Sequence, residues 1–164
     1  MKIAPSVETL TAGFPNKEHQ IDTISGKPEQ LGMDILFTAI TENAAFITTL
    51  KGGGCFGHMA LCMPAKQYAT IPHTQPFVME VPPPGELTFV PSDTAAARED
   101  TKLLYYNKVY NFELKKNVTT ALMNIIKDKL DESTYIRLKQ QYVGYVRRSV
   151  WEFINHLIIT FEKN

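Results

Sequence analysis

The sequence predicts a mainly α-helical protein, a bundle of about five helices with a glycine-rich loop and a proline-rich extended connector. Three observations favour this fold class. Apolar residues recur at helical spacing over several long stretches. Four of the nine glycines fall within residues 52–57, and six of the ten prolines fall within residues 71–91, so the helix-breaking residues are concentrated in two places. A hydrophobic content of 44% and a charged content of 21% are ordinary for a globular domain.

The chain length predicts a single domain. A chain of 164 residues buries enough surface to fold without disulfides or metals. Residues 1–28 are rich in Pro, Gly, Thr, Lys and Asn and show no sustained apolar period. We therefore expect an extended or partly ordered arm over residues 1–28 and one helical domain over residues 29–164.

Charge and cysteine usage restrict the functional class. The formal net charge is zero, with 17 basic and 17 acidic side chains, which argues against a dedicated nucleic-acid-binding protein. Cys55 and Cys62 lie in apolar contexts and are expected to be reduced, buried thiols of an intracellular protein. The chain opens with no apolar segment typical of a signal peptide, and its longest apolar run, residues 153–161, is too short to span a bilayer. We expect a cytoplasmic protein without membrane contact.

The first half of the chain predicts one long helix and one short helix. A core helix should begin near Leu31 and end before the glycines, because its apolar residues recur at helical spacing in two sets: Leu31, Ile35 and Ala39, and Met33, Leu36, Ile40, Ala44 and Ile47. Pro64 favours a short helix over residues 64–70, and Pro72 ends it. The prolines of residues 71–91 favour an extended connector.

The second half predicts three helices. Ser92-Asp93 is expected to cap a long helix that continues to about Leu130, with a weak point over residues 117–120. Asp131 opens another helix, which Gly144 ends. The last helix begins with a capping box, in which Ser149 and Glu152 bond each other's backbone N–H groups. Its apolar stripe makes it the candidate assembly helix, and the stripe consists of Val150, Phe153, Ile154, Leu157, Ile158 and Phe161.

The residues do not predict an active site. Gly52, Gly54 and Gly57 match the spacing of a dinucleotide-binding loop, but a helix precedes them where that site needs a strand. Cys55, His58 and Cys62 are soft metal ligands without a fourth ligand nearby, so buried thiols and a hydrogen-bonded histidine explain them better than zinc. His156, on the flank of the last stripe, is expected to be a hydrogen-bonded core or interface residue. We expect no catalytic residues, no cofactor and no metal.

The tyrosines of the second half allow two interpretations. They are interleaved with lysines and arginines, a pattern that suits stacking on single-stranded nucleic acid. The same pattern also suits ordinary aromatic core and rim residues on helices. The residues concerned are Tyr105, Tyr106, Tyr110, Tyr135, Tyr142 and Tyr145. Arg147-Arg148 by itself is too short to form a basic patch.

A set of short motifs, in order along residues 27–161, resembles the Gag-like region of copia-type LTR retrotransposons from algae and other protists. The central match is the glycine loop with Gly52, Gly53, Gly54, Gly57 and His58. Further matches are Asn43-Ala44, Ile47, Leu61, Tyr68, Pro76-Phe77, Pro84-Gly85, Val118, Ala121-Leu122, Tyr135, Leu138, Gly144-Tyr145, Ser149, His156-Leu157 and Phe161. One departure is that the family continues past the last helix with Tyr-Gly into a second helical region, where this sequence reads Phe161-Glu162.

The resemblance implies a retroviral-capsid-like bundle of the N-terminal type, with a structural and non-enzymatic role. Such a protein associates with itself into a virus-like particle in the cytoplasm, around element RNA that is held by regions outside this chain. Two other hypotheses stay open. One is a host-retained adaptor domain that does not assemble. The other is a small ligand-binding protein that uses the loop from Gly52 to His58.

Overall fold

The computed structural model describes residues 2–48, 56–72, 77 and 84–162. Within them the protein is mainly helical, as predicted, with five α-helices: α1 (Val7–Gly13), α2 (Gln30–Phe46), α3 (Ala65–Ala69), α4 (Ala95–Lys129) and α5 (Val150–Phe161). These residues form no β-strand and contain only two isolated bridges, one between Ile24 and Leu130 and one between Gln140 and Gly144. None of the described helices combines the length and the apolar character that crossing a membrane requires.

The core lies where α2, the C-terminal half of α4 and α5 meet, with α1 packed against α4. Its largest side chains are at most 2% exposed and come from all of these elements: Phe14, Met33, Leu36, Ile40, Leu122, Ile125, Ile126, Phe153 and Leu157. Burial of one such side chain stabilises the fold by roughly 1.5–3 kcal/mol. The core therefore holds the helices together, and few of them would form alone in water.

The N-terminal segment differs from the predicted arm. Residues 7–13 form α1, whose first turn is capped by Ser6, and Leu10 and Phe14 are buried in the core. Farther along, the Ile24 N–H donates to the carbonyl of Lys129 at 2.7 Å. Val7, Leu10 and Phe14 stand at i, i+3 and i+7, so they form a short helical stripe that faces the core. The stripe is only two turns long and is followed by Pro15, so it does not stand out as a sustained period in the sequence.

Asn43 holds the N-terminal segment against α2. Its side-chain oxygen accepts the backbone N–H of Asn16 at 2.9 Å, and its Nδ2 donates to the Asn16 carbonyl at 3.1 Å. The Asn16 side chain in turn donates to the Ala39 carbonyl at 3.3 Å. Asn43 is fully buried, so these bonds satisfy polar groups that water does not reach.

The helix α2 has two apolar faces. The set with Met33, Leu36, Ile40 and Ala44 lies in the core, as the spacing predicts. Leu31 and Ile35, from the other set, are 72% and 54% exposed, and Phe46 is 57% exposed. Because these three positions lie within about 60° of one another around a helix of 3.6 residues per turn, they share one outer face. We call residues Leu31, Ile35 and Phe46 the α2 outer face.

The cap of α4 is Thr94, not the predicted Ser92-Asp93. Thr94 has extended backbone angles, and its side chain accepts the Ala97 N–H at 3.1 Å. Asp93 belongs to the turn before the helix, because its N–H donates to the Val90 carbonyl. The helix then continues through residues 117–120, so the predicted weak point does not interrupt it.

Residues 131–148 do not form the predicted helix. They form 3₁₀ turns at Glu132–Thr134 and Ile136–Leu138, followed by a tight turn in which Gln140 and Gly144 bond each other's backbones. Tyr142 and Gly144 have φ of 71° and 61°, which an α-helix cannot accommodate. The apolar spacing of Tyr135 and Leu138 suits a helix, but both side chains pack on the core from 3₁₀ turns instead.

Candidate functional site

Gly57 is the described glycine of the predicted loop, since Gly52, Gly53 and Gly54 lie outside the described residues. It has φ of +50°, and a Cβ atom there would overlap the carbonyl oxygens of Ala45 and Ile47. Both the backbone conformation and the contact with the end of α2 therefore require glycine at this position.

His58 completes the contact with α2. Its backbone N–H donates to the Ala44 carbonyl at 2.9 Å, and its ring Nδ1 donates to the Ile47 carbonyl at 2.6 Å. The side chain is 1% exposed, and its ring meets the edge of Phe77 with centroids 5.4 Å apart. Burial lowers the pKa of His58, an effect that the bond to Ile47 partly opposes. The neutral ring therefore satisfies the Ile47 carbonyl and the backbone N–H adds a bond to the Ala44 carbonyl, at the end of a helix where carbonyls lack partners within the helix.

The described contacts of His58 are all made inside the protein. The ring faces the C-terminal end of α2 rather than open space, and its Nδ1 is already bonded. Gly57 and His58 thus have a structural role in the described part of the loop. The order Gly-His has a physical reason. The glycine lets the loop backbone approach the carbonyls at the end of α2, and the histidine then supplies two N–H groups that bond to carbonyls there.

The apolar stripe of α5 packs inside the chain. Val150, Phe153, Ile154 and Leu157 are 0–4% exposed, and Ile158 and Phe161 are partly buried against the same core. The stripe is not available to a second subunit in this fold, which corrects its selection as the assembly helix. The periodicity identified a buried face correctly but could not tell an internal contact from one between subunits.

The capping box of α5 is present. The Ser149 side chain accepts the Glu152 N–H at 3.1 Å, and the Glu152 carboxylate accepts the Ser149 N–H at 3.2 Å. Arg148 also donates to Glu152 at 2.8 Å, and this hydrogen bond is the main reason why the pKa of Glu152 is lowered. The box and the arginine together fix the direction in which α5 leaves the preceding loop.

The remaining candidates for chemistry have structural roles. Burial raises the pKa of the Cys62 thiol to about 12, so this thiol is protonated and unreactive, and Cys55 lies outside the described residues. The His156 Nε2 donates to the Thr134 carbonyl at 3.0 Å, in keeping with a hydrogen-bonded core residue. No group of three His, Cys, Asp or Glu side chains suited to a metal ion occurs in the described ranges.

The tyrosines do not form one surface. Tyr135 is buried and packs with Tyr145 and Phe153, with ring centroids 5.4–5.6 Å apart. Tyr142 stands at the tip of the 140–144 turn, 96% exposed. Tyr105, Tyr106 and Tyr110 lie on the N-terminal half of α4. Tyr110 and Tyr145 are also partly buried against the core, so the core and rim interpretation holds for Tyr110, Tyr135 and Tyr145 and fails for Tyr142.

The N-terminal half of α4 is a long stretch of helix that is only partly covered, with Tyr110 packed against the edge of the core. None of its residues, 95–113, is buried, whereas the buried residues of the helix begin at Leu114. Leu103 and Leu104 are 61% and 60% exposed. We call residues 95–113 the α4 arm. Its charges balance, with three basic and three acidic side chains: Arg98, Lys102, Lys108, Glu99, Asp100 and Glu113.

A basic groove was not foreseen from the sequence. It is a cavity of about 480 Å³ between the middle of α4, residues 146–151 and the segment that ends at Met63. Two basic pairs, Lys115-Lys116 and Arg147-Arg148, meet there. The pairs are about 30 residues apart in the chain, so each is too short to signal a site alone. We call this cavity the basic groove.

No family model matches the sequence, and comparison with curated proteins and with solved structures gives no match either. The fold therefore defines the chain as a mainly α-helical protein. Its function has to be argued from its own residues and from the motif resemblance.

Proposed function

We propose that this protein is a capsid-like structural protein, similar to the Gag-like region of copia-type LTR retrotransposons, whose subunits associate into a shell around RNA. The observation that carries the proposal is the α4 arm, roughly 28 Å of helix without a buried side chain. An isolated helix of this length is marginal in water, and helices gain most of their stability from packing. A second copy of the chain supplies the missing packing surface.

The composition of the arm favours another arm as its partner. Leu103 and Leu104 offer apolar contact area, and the half-exposed Tyr105 and Tyr106 flank them. The equal number of acidic and basic side chains means that two arms do not repel each other. Aromatic residues at such a surface are typical of protein interfaces.

A shell needs more than one contact per subunit, because a single symmetric contact ends at a dimer. The α2 outer face provides the second apolar surface. We assign the second contact of the assembly to the α2 outer face and not to α5, because the α5 stripe already packs in the chain's own core. The proposed role involves packing between subunits and no catalytic step.

The test is the molar mass by light scattering over a wide range of protein concentrations, with electron microscopy of the heaviest species. We expect concentration-dependent oligomers for the unaltered chain and a loss of at least tenfold in association constant for Leu103→Glu/Leu104→Glu. The matched control is Ile159→Glu/Thr160→Glu, which adds the same two charges at exposed positions on α5 and should associate normally.

A strict monomer at every concentration would rule out self-association of this chain and favour the adaptor hypothesis. Equal effects of the arm variant and the α5 control would show that added charge, and not the arm, governs association. Leu31→Glu/Ile35→Glu should stop growth at the dimer, because it removes the second contact and leaves the first.

A further inference from the structure

The basic groove concentrates positive charge in a protein of zero net charge. Lys115, Lys116 and Arg147 line it, and none of the three has an ion pair among the described residues. No acidic side chain is among the described residues that line it. Arg148 also lines it but already donates to Glu152 and to the Leu138 carbonyl. The potential at a site depends on the charges around it, so zero net charge does not exclude an anionic ligand here.

One wall of the groove is aromatic and apolar. Trp151 and Phe112 line it and are half-buried, together with Leu61 and Met63 from the opposite segment. Trp151 is the only tryptophan of the chain. A flat apolar wall beside free cations suits a ligand that carries both an aromatic ring and a negative charge.

Polar atoms without partners lie beside the cations. The Thr119 hydroxyl and the Tyr145 hydroxyl are buried and have no hydrogen-bond partner in the described structure. Thr119 lines the basic groove and also a neighbouring cavity of about 170 Å³, which Tyr145 lines as well. Unpaired buried hydroxyls are costly. Because both oxygens are closed to solvent in this structure, a phosphate or ribose oxygen reaches them only after neighbouring side chains shift.

The two cavities form one elongated trough along α4. They share Thr119, Thr120, Val146 and Arg148, and the second adds Lys127. Lys116 and Lys127 lie on the same face of α4 and are roughly 16 Å apart along its axis. A single nucleotide fits the cavity of about 480 Å³, whereas contact with Lys127 as well requires a longer ligand.

We propose that the basic groove binds a nucleoside phosphate, with the base stacked on Trp151 and the phosphate held by Lys115, Lys116 and Arg147. The nucleotide is either free or part of a single strand that continues toward Lys127. This proposal does not rest on self-association, because every residue of the site belongs to one copy of the chain.

The experiment uses Trp151 itself as the probe. Its fluorescence is titrated with a short single-stranded oligoribonucleotide, with adenosine monophosphate and with inorganic phosphate. We expect stacking to quench the fluorescence with the oligonucleotide or the mononucleotide but not with inorganic phosphate. Oligonucleotide binding at least tenfold tighter than mononucleotide binding assigns the site to a strand, and similar affinities assign it to free nucleotides.

Two charge variants test whether binding depends on the cations of the basic groove or only on the total charge of the protein. Lys115→Gln/Lys116→Gln should weaken binding at least tenfold, and for a strand it should reduce the slope of log affinity against log salt by about 1.4 if both contacts are lost. Lys27→Gln/Lys139→Gln removes the same charge from exposed positions outside the groove and the α4 arm and should change the affinity less than twofold. Thermal melting of each variant checks that it is folded.

Three results would overturn the proposal. They are an equal loss of affinity in both double variants, quenching by inorganic phosphate as strong as that by the nucleotide, and no quenching by either nucleotide ligand at low salt. The titration is repeated on Leu103→Glu/Leu104→Glu, which weakens self-association and leaves the groove residues unchanged. An unchanged affinity in this variant shows that nucleotide binding does not require assembly.

Discussion

The contact of Gly57 and His58 with the end of α2 shows how two adjacent residues fasten a loop to a helix. The glycine adopts a conformation with positive φ at a point where a side chain has no room. The histidine then donates two hydrogen bonds to carbonyls at the end of the helix. Both residues belong to the glycine-loop motif of the sequence, but their orientation toward α2 follows only from the tertiary structure.

Replacement of Gly57 by alanine should lower the free energy of unfolding by more than about 2 kcal/mol, because alanine combines a strained φ with an overlap with backbone oxygens. Denaturant unfolding measures the change. Gly85→Ala is the matched control, since an added methyl group there meets no atom within 4 Å, and its effect should stay within about 1 kcal/mol. Equal effects at the two positions would contradict the structural role of Gly57.

The stability of the protein should depend on the protonation of His58. Burial lowers its pKa in the folded state, so the unfolded state takes up the proton first as the pH falls. The contribution of His58 is therefore present above its ordinary pKa of about 6.5 and is lost as the pH falls through the lower folded value. The slope for one such group is at most about 1.4 kcal/mol per pH unit.

The measurement is the free energy of unfolding between pH 7 and pH 5. His58→Asn keeps an N–H donor near Nδ1 and cannot titrate, so its stability should fall less steeply over this range than that of the unaltered chain. The same replacement at the exposed His19 serves as the control. A pH profile that His58→Asn leaves unchanged would show that other groups cause the dependence.

At the scale of elements, α5 is the helix whose start and apolar face are clearest in the sequence, although the sequence does not say what that face packs against. Its capping box and apolar stripe were both recognised from residue spacing, and the structure contains both. The stripe packs against the chain's own α4 and the Met59–Cys62 turn. The α4 arm is the opposite case, because it leaves Leu103 and Leu104 exposed although the same helix buries apolar side chains from Leu114 onward.

Loss of the cap should weaken α5 locally. Ser149→Ala removes the acceptor of the Glu152 N–H and should cost about 1 kcal/mol in the free energy of unfolding. Ser92→Ala is an informative control, because Ser92 resembles a cap in the sequence but Thr94 caps α4. Its effect should stay within about 0.5 kcal/mol. A larger effect at Ser92 than at Ser149 would argue against the cap assignments.

At the scale of the whole molecule, the N-terminal segment is part of the core. Phe14 is fully buried, and hydrogen bonds join this segment to α2 through Asn43 and to the end of α4 through Lys129. The boundary expected at residue 28 therefore does not separate an arm from a folded domain. Long-range contacts of this kind leave no trace in local periodicity.

Replacement of Phe14 by alanine distinguishes a core segment from an arm. Truncating a fully buried phenylalanine should lower the free energy of unfolding by about 3–5 kcal/mol. Ile3→Ala, at a position that is 83% exposed, is the control and should change it by less than about 0.5 kcal/mol. If both variants unfold like the unaltered chain, residues 1–28 behave as an arm after all.

Local spacing and backbone chemistry in the sequence were enough to predict the mainly helical class, the start of α2 and both ends of α3 to within one residue, and the cap of α5. The end of α2 at Phe46 comes six residues before Gly52, the glycine that was expected to limit it. Tertiary structure alone decided which apolar faces meet. It placed the α5 stripe in the core, left the α4 arm uncovered, and converted residues 131–144 from a helix into turns. It also brought two basic pairs together in one groove. The physical reason is that apolar burial is non-directional, so periodicity marks a face for burial without specifying its partner.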